Sequence, residues 1–276
     1  MIWTVLAIAG LVLAAIVCFG TLFLVRYLEG AVSKIFAAIT ACSLAFLFVY
    51  IAADFAGDLR TSAANARPAL PAGFAYVGNV APTIETRLRF ATTDNLTGQV
   101  VDGYAAGDVL ILRAGPALAL MQVQNDLAPR GLGLSVSDAY RPARADRFLV
   151  AWARNPESAT ESDTTAQARY YPGLSRQQLL DRGYLPESSV HSLGHAVDVT
   201  LIDLGTRQPL DMGGPIGRYD SLTRPDAEGL TSKQQRNRAR LRDAMLARGF
   251  QADPLMWWQY AYPQAEGTQS ADFEIR

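Results

Sequence analysis

Two long runs of apolar residues near the start of the chain constrain its fold more than any other feature of the sequence. Residues 2–25 contain no charged side chain over 24 positions, and residues 35–53 contain none over 19. A helix of about 20 apolar residues crosses a hydrocarbon core of about 30 Å. The runs therefore predict that residues 1–53 form a hairpin of two transmembrane helices in contact with the lipid bilayer.

A cleaved signal peptide and a buried helical hairpin explain these runs less well. A signal peptide begins with basic residues and has a shorter apolar core, whereas only Met1 precedes the first run. A helix in a soluble core keeps a polar stripe, which both runs lack. Arg26 and Lys34 in the connection favour a cytoplasmic loop, although Arg60 and Arg67 favour the reverse orientation. We therefore expect a bacterial inner-membrane location with the remaining chain on the periplasmic or extracytoplasmic side.

The rest of the chain is predicted to be a linker followed by a single domain. Residues 54–79 are rich in Ala, Pro, Gly and Asn, as spacers are, and residues 80–276 are long enough to bury one core. Both cysteines lie in the apolar runs, so the domain has no disulfide framework. A net charge of −1 without a basic run excludes nucleic acid as a partner, and no feature identifies a protein partner.

Periodicity and capping signals predict the main elements of the domain. Helices are expected over about 116–127, 142–154, 176–182 and 231–248, and strands over 132–136 and 196–201. Leu118 is expected on the buried side of the first helix. Leu241, Met245 and Leu246 are expected on the buried side of the last helix.

A histidine and an aspartate seven positions apart form the most informative motif. His191 and Asp198 flank Gly194, and a β-type run follows the aspartate. A loop and the start of a strand can present an imidazole nitrogen and a carboxylate oxygen together, and zinc accepts both. The spacing alone fits equally well a loop histidine with satisfied hydrogen bonds and a turn-capping aspartate.

Further motifs follow in order along the domain, at 89–98, 137–142, 170–172, 212–213, 237–238, 241–242, 249–250, 257–258 and 272–273. With these motifs, residues 85–276 resemble the zinc D-alanyl-D-alanine dipeptidases of the vancomycin-resistance type, peptidase family M15. The resemblance implies an α+β fold, a single zinc-peptidase-like domain with a central antiparallel sheet flanked by helices. In this chain, the two-helix transmembrane hairpin would precede it.

The resemblance also implies roles for five residues. His191 and Asp198 are expected to bind zinc. Arg141 is expected to stabilise the oxyanion and hold the substrate, a role that a fixed guanidinium suits. A structural ion pair with the aspartate three positions earlier is the alternative for this arginine. Ser189 is expected to contact the substrate, and Asp220 to meet the ammonium group of a dipeptide.

Two positions depart from the family pattern Glu-x-x-His, which supplies the general base and the third zinc ligand. Met256 replaces the glutamate and Gln259 replaces the histidine. A thioether cannot accept a proton from water, and an amide oxygen is a weaker zinc ligand than imidazole. His195 is a candidate substitute ligand, but on one regular strand it and the aspartate at 198 would face opposite ways. Asp253 and Glu187 are the nearest acids, and their spacing favours neither as a base.

These observations predict a membrane-anchored domain that has lost efficient zinc hydrolysis but still recognises D-Ala-D-Ala or peptidoglycan stem peptides. The expected groups for holding substrate persist, whereas the base and one ligand are replaced. An active zinc dipeptidase with a substitute ligand and base is one alternative. A membrane scaffold with a vestigial site is another.

Overall fold

The computed structural model describes residues 67–155, 161–265 and 268–276, together with Gly20 and Gly30. A compact unit extends from Ala69 to Arg276. Its first strand, Phe74–Tyr76, lies within the segment that the sequence assigns to the linker. The ordered fold thus includes residues that precede position 80.

A mixed sheet lies at the centre of this unit. The strands are β1 (Phe74–Tyr76), β2 (Glu85–Thr86), β3 (Ile111–Arg113), β4 (Leu132–Asp138), β5 (Ala196–Asp203), β6 (Gln251–Ala252) and β7 (Gln259–Ala261). Within the described residues, five of them form a sheet in the order β2-β4-β5-β7-β6, and β1 pairs with β3 separately. The neighbours β4–β5, β5–β7 and β6–β7 are antiparallel, whereas β2 runs parallel to β4.

Helices accompany the sheet in the described residues, and two of them begin at a capping box. They are α1 (Val77–Val80), α2 (Ala114–Leu127), α3 (Ala143–Arg154), α4 (Glu161–Tyr170), α5 (Arg176–Asp181) and α6 (Ser232–Ala247). Ser175 and Gln178 form a capping box at α5, and Thr231 and Gln234 form another at α6. The helices predicted over 116–127, 142–154, 176–182 and 231–248 agree with α2, α3, α5 and α6 to within two residues at each end.

The predicted buried sides of two helices are correct in part. Leu241 and Met245 are fully buried, as expected for residues four positions apart on one helical face. Leu118 and Leu246, however, are 48% and 46% exposed. Each lies next in sequence to a buried residue, and one helical step of about 100° turns its side chain off the buried stripe.

The predicted fold class is wrong in two respects. First, the sheet is not purely antiparallel, because the connection from β2 to β4 contains α2 and is long enough for a parallel crossover. Second, the part of the chain that the structure describes contains no helix long and apolar enough to cross a membrane. The segments 2–25 and 35–53 lie outside the described residues, apart from Gly20. The fold of the described residues is a mixed α/β domain.

Residues 268–276 pack against the start of α3. The ring of Phe273 stacks on Tyr140 with ring centroids 4.2 Å apart. The Tyr140 hydroxyl also donates a hydrogen bond to the Phe273 carbonyl at 3.1 Å. The Asp272 carboxylate accepts hydrogen bonds from the Arg144 backbone N–H and from the Arg144 and Arg147 guanidinium groups, at 2.8 to 3.0 Å. This segment therefore fixes the loop between β4 and α3 from outside.

Gly194 is expected to be intolerant of any side chain. Its φ is +75°, and a Cβ there would lie 2.5 Å from the Phe74 ring. Gly173 is a matched control, since its φ is +77° and a Cβ would meet nothing within 4 Å. Gly194→Ala should lower the free energy of unfolding by about 1–3 kcal/mol more than Gly173→Ala, because overpacking adds to the shared backbone strain. Urea unfolding followed by tryptophan fluorescence measures both. An equal decrease in the free energy of unfolding for both variants would show that the Phe74 ring moves away from the new Cβ without destabilising the fold.

Candidate functional site

Three neighbouring strands bring three polar residues to one level of the sheet. Asp198 on β5 lies opposite Asp138 on β4 and opposite Gln259 on β7. Directly opposed residues of an antiparallel pair project from the same face. The backbone register alone therefore gathers two carboxylates and one carboxamide into a cluster.

An irregularity in β4 places Asp138, rather than Ser137, opposite Asp198. The register pairs Val136 with Val199 and then shifts by one residue on β4. A β-bulge of this kind re-aims a side chain and is common beside functional sites. The Ser137 hydroxyl donates a hydrogen bond to the Asp198 backbone carbonyl at 3.4 Å instead.

His191 completes the cluster from the 3₁₀ turn Val190–Leu193 that precedes β5. Its Nδ1 lies 2.7 Å from the Ala139 carbonyl oxygen, so Nδ1 carries a proton and donates. Its Nε2 lies 3.3 Å from Gln259 Oε1 and 3.4 Å from Asp198 Oδ1. Burial lowers the pKa of His191, but the charges of Asp198 and Asp138 raise it by more. The net effect raises the pKa of His191 to about 8.

The groups around Nε2 fit a bound cation. Asp198 Oδ1 is buried and, apart from its contact with Nε2, has no hydrogen-bond partner among the described residues. Asp138, His191 and Asp198 each offer one ligand atom, and these atoms lie within 4.8 Å of one another. Imidazole nitrogen and carboxylate oxygen are ligands of zinc. His191 and Asp198 would hold the ion, together with the Oε1 of Gln259.

Arg141 lies beside this cluster in a buried ion-pair network. Its Nε and Nη2 donate to Asp138 Oδ2 at 3.0 and 2.6 Å, and its Nη1 donates to Asp146 Oδ1 at 3.1 Å. Its guanidinium also lies over the Phe90 ring, 5.1 Å from the centroid. The structural ion pair is thus present, and Arg141 also lines a cavity beside the cluster.

A cavity of about 230 Å³ opens onto the cluster. Its lining includes Arg141, Ser189, Asp198, Met256 and Gln259. The cavity is large enough for a small ligand such as a dipeptide, and it brings these five sequence-predicted residues together around one space.

Met256 lies in the turn between β6 and β7, and Gln259 is the first residue of β7. The Met256 side chain is buried and lines the cavity. Trp257 and Trp258, in contrast, pack against each other in the core, with ring centroids 5.5 Å apart. The thioether of Met256 supplies no proton acceptor where the cavity meets the cluster.

Comparison with known proteins identifies the family. Residues 71–274 match the peptidase M15 family, described as D-ala-D-ala dipeptidase. The chain belongs to this family. It is 37% identical over 187 residues to the D-alanyl-D-alanine dipeptidase of Streptomyces coelicolor, covering 68% of this chain and 90% of the relative. It is 34% identical over 188 residues to the Enterococcus faecalis enzyme of the same name, with the same coverage. The predictions of the family and of zinc as its metal are confirmed.

Solved structures give weaker likenesses. One is a VanY D,D-pentapeptidase mutant in complex with Zn(II), at 15% identity and a TM-score of 0.30, covering 61% of this chain and 80% of that one. Another is VanYB in complex with D-Alanine-D-Alanine, at 14% identity and a TM-score of 0.31, covering 59% and 77%.

His195 does not join the metal cluster. It is not one of the residues that line the cavity, and the backbone of Tyr262 and Pro263 lies beside its ring. Burial lowers its pKa. Within the described residues, His195 therefore lies outside the metal cluster, whereas Gln259 Oε1 lies beside His191 Nε2.

Ser189 and Asp220 are already engaged with neighbouring groups. The Ser189 hydroxyl accepts a hydrogen bond from the His191 N–H at 3.1 Å and so caps the 3₁₀ turn. The Asp220 carboxylate accepts from Arg218 Nε at 2.6 Å and from the Leu222 N–H at 2.8 Å. Ser189 lines the cavity, whereas Asp220 is adjacent to the lining residue Tyr219 and does not line it. The ammonium-binding role of Asp220 stays a prediction.

Asp253 is the residue of the site that sequence reasoning set aside. It lines the cavity, and its Oδ2 accepts a hydrogen bond from Gln259 Nε2 at 3.1 Å. Burial raises its pKa and the charge of Asp198 raises it further, although N–H groups of Leu255 and Met256 oppose the shift. The dipeptide Asp253-Pro254 is a turn signal that could have placed the carboxylate beside the residues that follow.

Proposed function

We propose that this chain is a D-Ala-D-Ala-binding member of the dipeptidase family in which efficient zinc hydrolysis is lost. The observation that carries the proposal is the composition of one cavity. Arg141 and Asp198 persist in its lining and His191 lies buried beside Asp198, while Met256 occupies the position of the family base. General-base catalysis contributes about 10²- to 10⁴-fold in rate, and a thioether cannot supply it.

The remaining groups can still hold a short peptide with a free carboxylate. A guanidinium has five N–H donors, and the bonds from Arg141 to Asp138 and Asp146 use three of them. A remaining N–H donor can serve an oxygen of a ligand in the cavity that Arg141 lines. When bound, a zinc ion held by His191, Asp198 and Gln259 would polarise a ligand carbonyl. The names of the relatives support D-Ala-D-Ala as the ligand.

Calorimetric titration of the purified full-length protein with D-Ala-D-Ala in the presence of zinc tests the proposal. Saturable binding is expected for D-Ala-D-Ala and not for L-Ala-L-Ala, with no free D-alanine above the buffer control. N-acetyl-D-Ala-D-Ala, titrated in parallel, distinguishes stem-peptide ends from the free dipeptide. Release of D-alanine at a catalytic rate would overturn the loss of hydrolysis. Absence of binding for both D-peptides would overturn recognition and favour a vestigial site.

A further inference from the structure

The carboxylate of Asp253 connects the β6–β7 turn to the metal cluster. Its Oδ1 accepts hydrogen bonds from the N–H groups of Leu255 and Met256, at 2.7 and 2.9 Å. Its Oδ2 accepts from the Nε2 of Gln259 at 3.1 Å. The Oε1 of the same carboxamide points the other way and lies 3.3 Å from His191 Nε2. One side chain thus bridges the aspartate and the cluster.

The orientation of a carboxamide decides whether it can serve as a ligand. The oxygen of a Gln side chain has lone pairs for a metal, whereas its NH₂ group is a donor without an available pair. An ionised carboxylate is an acceptor only. Asp253 therefore selects the NH₂ end of Gln259 and leaves the oxygen facing His191. In a histidine ligand, a partner of the other ring nitrogen fixes the tautomer and the ring orientation in the same way.

We infer that Asp253 is a positioning residue that holds Oε1 of Gln259 toward the zinc site, so that the Asp253–Gln259 pair takes the place of the single family histidine. In metal sites, a partner behind the ligand commonly fixes its orientation and raises its affinity for the ion. The inference concerns the metal centre and does not depend on peptide binding.

The hydrogen bonds of Asp253 distinguish this role from that of a substitute base. Three donors occupy its two oxygens, and one of these donors is the ligand candidate itself. A base would need an oxygen that faces a water molecule in the cavity. The observed pattern instead ties the carboxylate to its own turn and to Gln259.

Zinc affinity of the purified full-length protein, measured by competition with a chromogenic chelator and without peptide, tests the inference. Asp253→Asn is expected to weaken zinc binding about 10- to 100-fold, as loss of such partners commonly does. The Asn oxygen still accepts from Leu255 and Met256, but its NH₂ group faces that of Gln259. The carboxamide should then turn over and present nitrogen to the ion.

Two further variants separate positioning from a general effect on the fold. In a Gln259→Ala background, Asp253→Asn should cause no additional loss of zinc affinity, because the two residues act through one contact. The Asp253→Asn, Gln259→Glu exchange should restore affinity, since the new amide donates to the new carboxylate. Thermal unfolding in EDTA should give the same midpoint for Asp253→Asn and the unaltered chain.

Several results would overturn the inference. Unchanged zinc affinity in Asp253→Asn would show that Gln259 needs no partner. An equal loss in the Gln259→Ala background would show that Asp253 acts on the turn as a whole. Failure of the unaltered protein to bind zinc would remove the metal role altogether, and the peptide titration would still judge D-Ala-D-Ala recognition independently.

Discussion

The Met256→Glu, Gln259→His double variant is expected to release D-alanine from D-Ala-D-Ala about 10²- to 10⁴-fold faster than the unaltered chain. Both positions line the cavity together with Asp198, and His191 lies beside Asp198 and Gln259. The glutamate would accept a proton from water, and the imidazole would complete a set of zinc ligands that is typical of catalytic sites. Chromatographic measurement of free D-alanine, with zinc present, follows the reaction.

A Met256→Gln, Gln259→His variant is the matched control for the base. It carries the same zinc ligands and a side chain of similar size to glutamate that cannot accept the proton. Its rate should stay near that of the unaltered chain. If the unaltered chain already equals the glutamate-containing variant, the proposed loss of hydrolysis is wrong and another group must supply the base.

Arg141→Met is expected to lower the free energy of unfolding by about 3–5 kcal/mol. The substitution removes the charge that faces two buried carboxylates, those of Asp138 and Asp146. Breaking a buried ion pair from one side leaves uncompensated charge in the interior, which costs far more than the net value of the pair. Urea unfolding of the metal-free protein at neutral pH measures the change.

An Arg141→Met, Asp138→Asn, Asp146→Asn variant tests this cause directly. With both carboxylates made neutral, no unpaired charge is buried, and more than half of the lost stability should return. A loss below about 1 kcal/mol in the single variant would show that water reaches the carboxylates, since exposed pairs contribute no more than that. Such a result would mean that Arg141 contributes mainly to ligand binding and little to the stability of the fold.

The resemblance to the family, rather than spacing alone, predicted most of the residues of the cluster. His191, Asp198 and Gln259 meet as their places in the family pattern imply. The position of Asp138 could not be predicted, because a β-bulge shifts it by one residue. The alternation of polar and apolar residues along a strand does not show where such a bulge lies. The contact of Asp253 depends on a turn, and side-chain direction in a turn cannot be derived from spacing alone.

The fold was predictable where elements are long and capped. Ser175 and Thr231 mark the starts of α5 and α6 in the sequence and in the structure. The strands β1, β2, β3, β6 and β7 escaped prediction, since two or three residues show no alternation of polar and apolar positions. The parallel pairing of β2 with β4 depends on the path of the chain through α2, which local patterns do not contain.

The packing of residues 268–276 makes the ligand cavity dependent on a distant part of the chain. Tyr140 precedes Arg141 directly, and its partner Phe273 lies 133 positions away. Proteolytic trimming that removed Asp272 and Phe273 would leave every proposed zinc ligand in place while releasing the loop that carries Arg141. On the proposed function, the truncated molecule would still bind zinc but would bind a peptide carboxylate less tightly. Zinc content alone is therefore a poor criterion of an intact preparation.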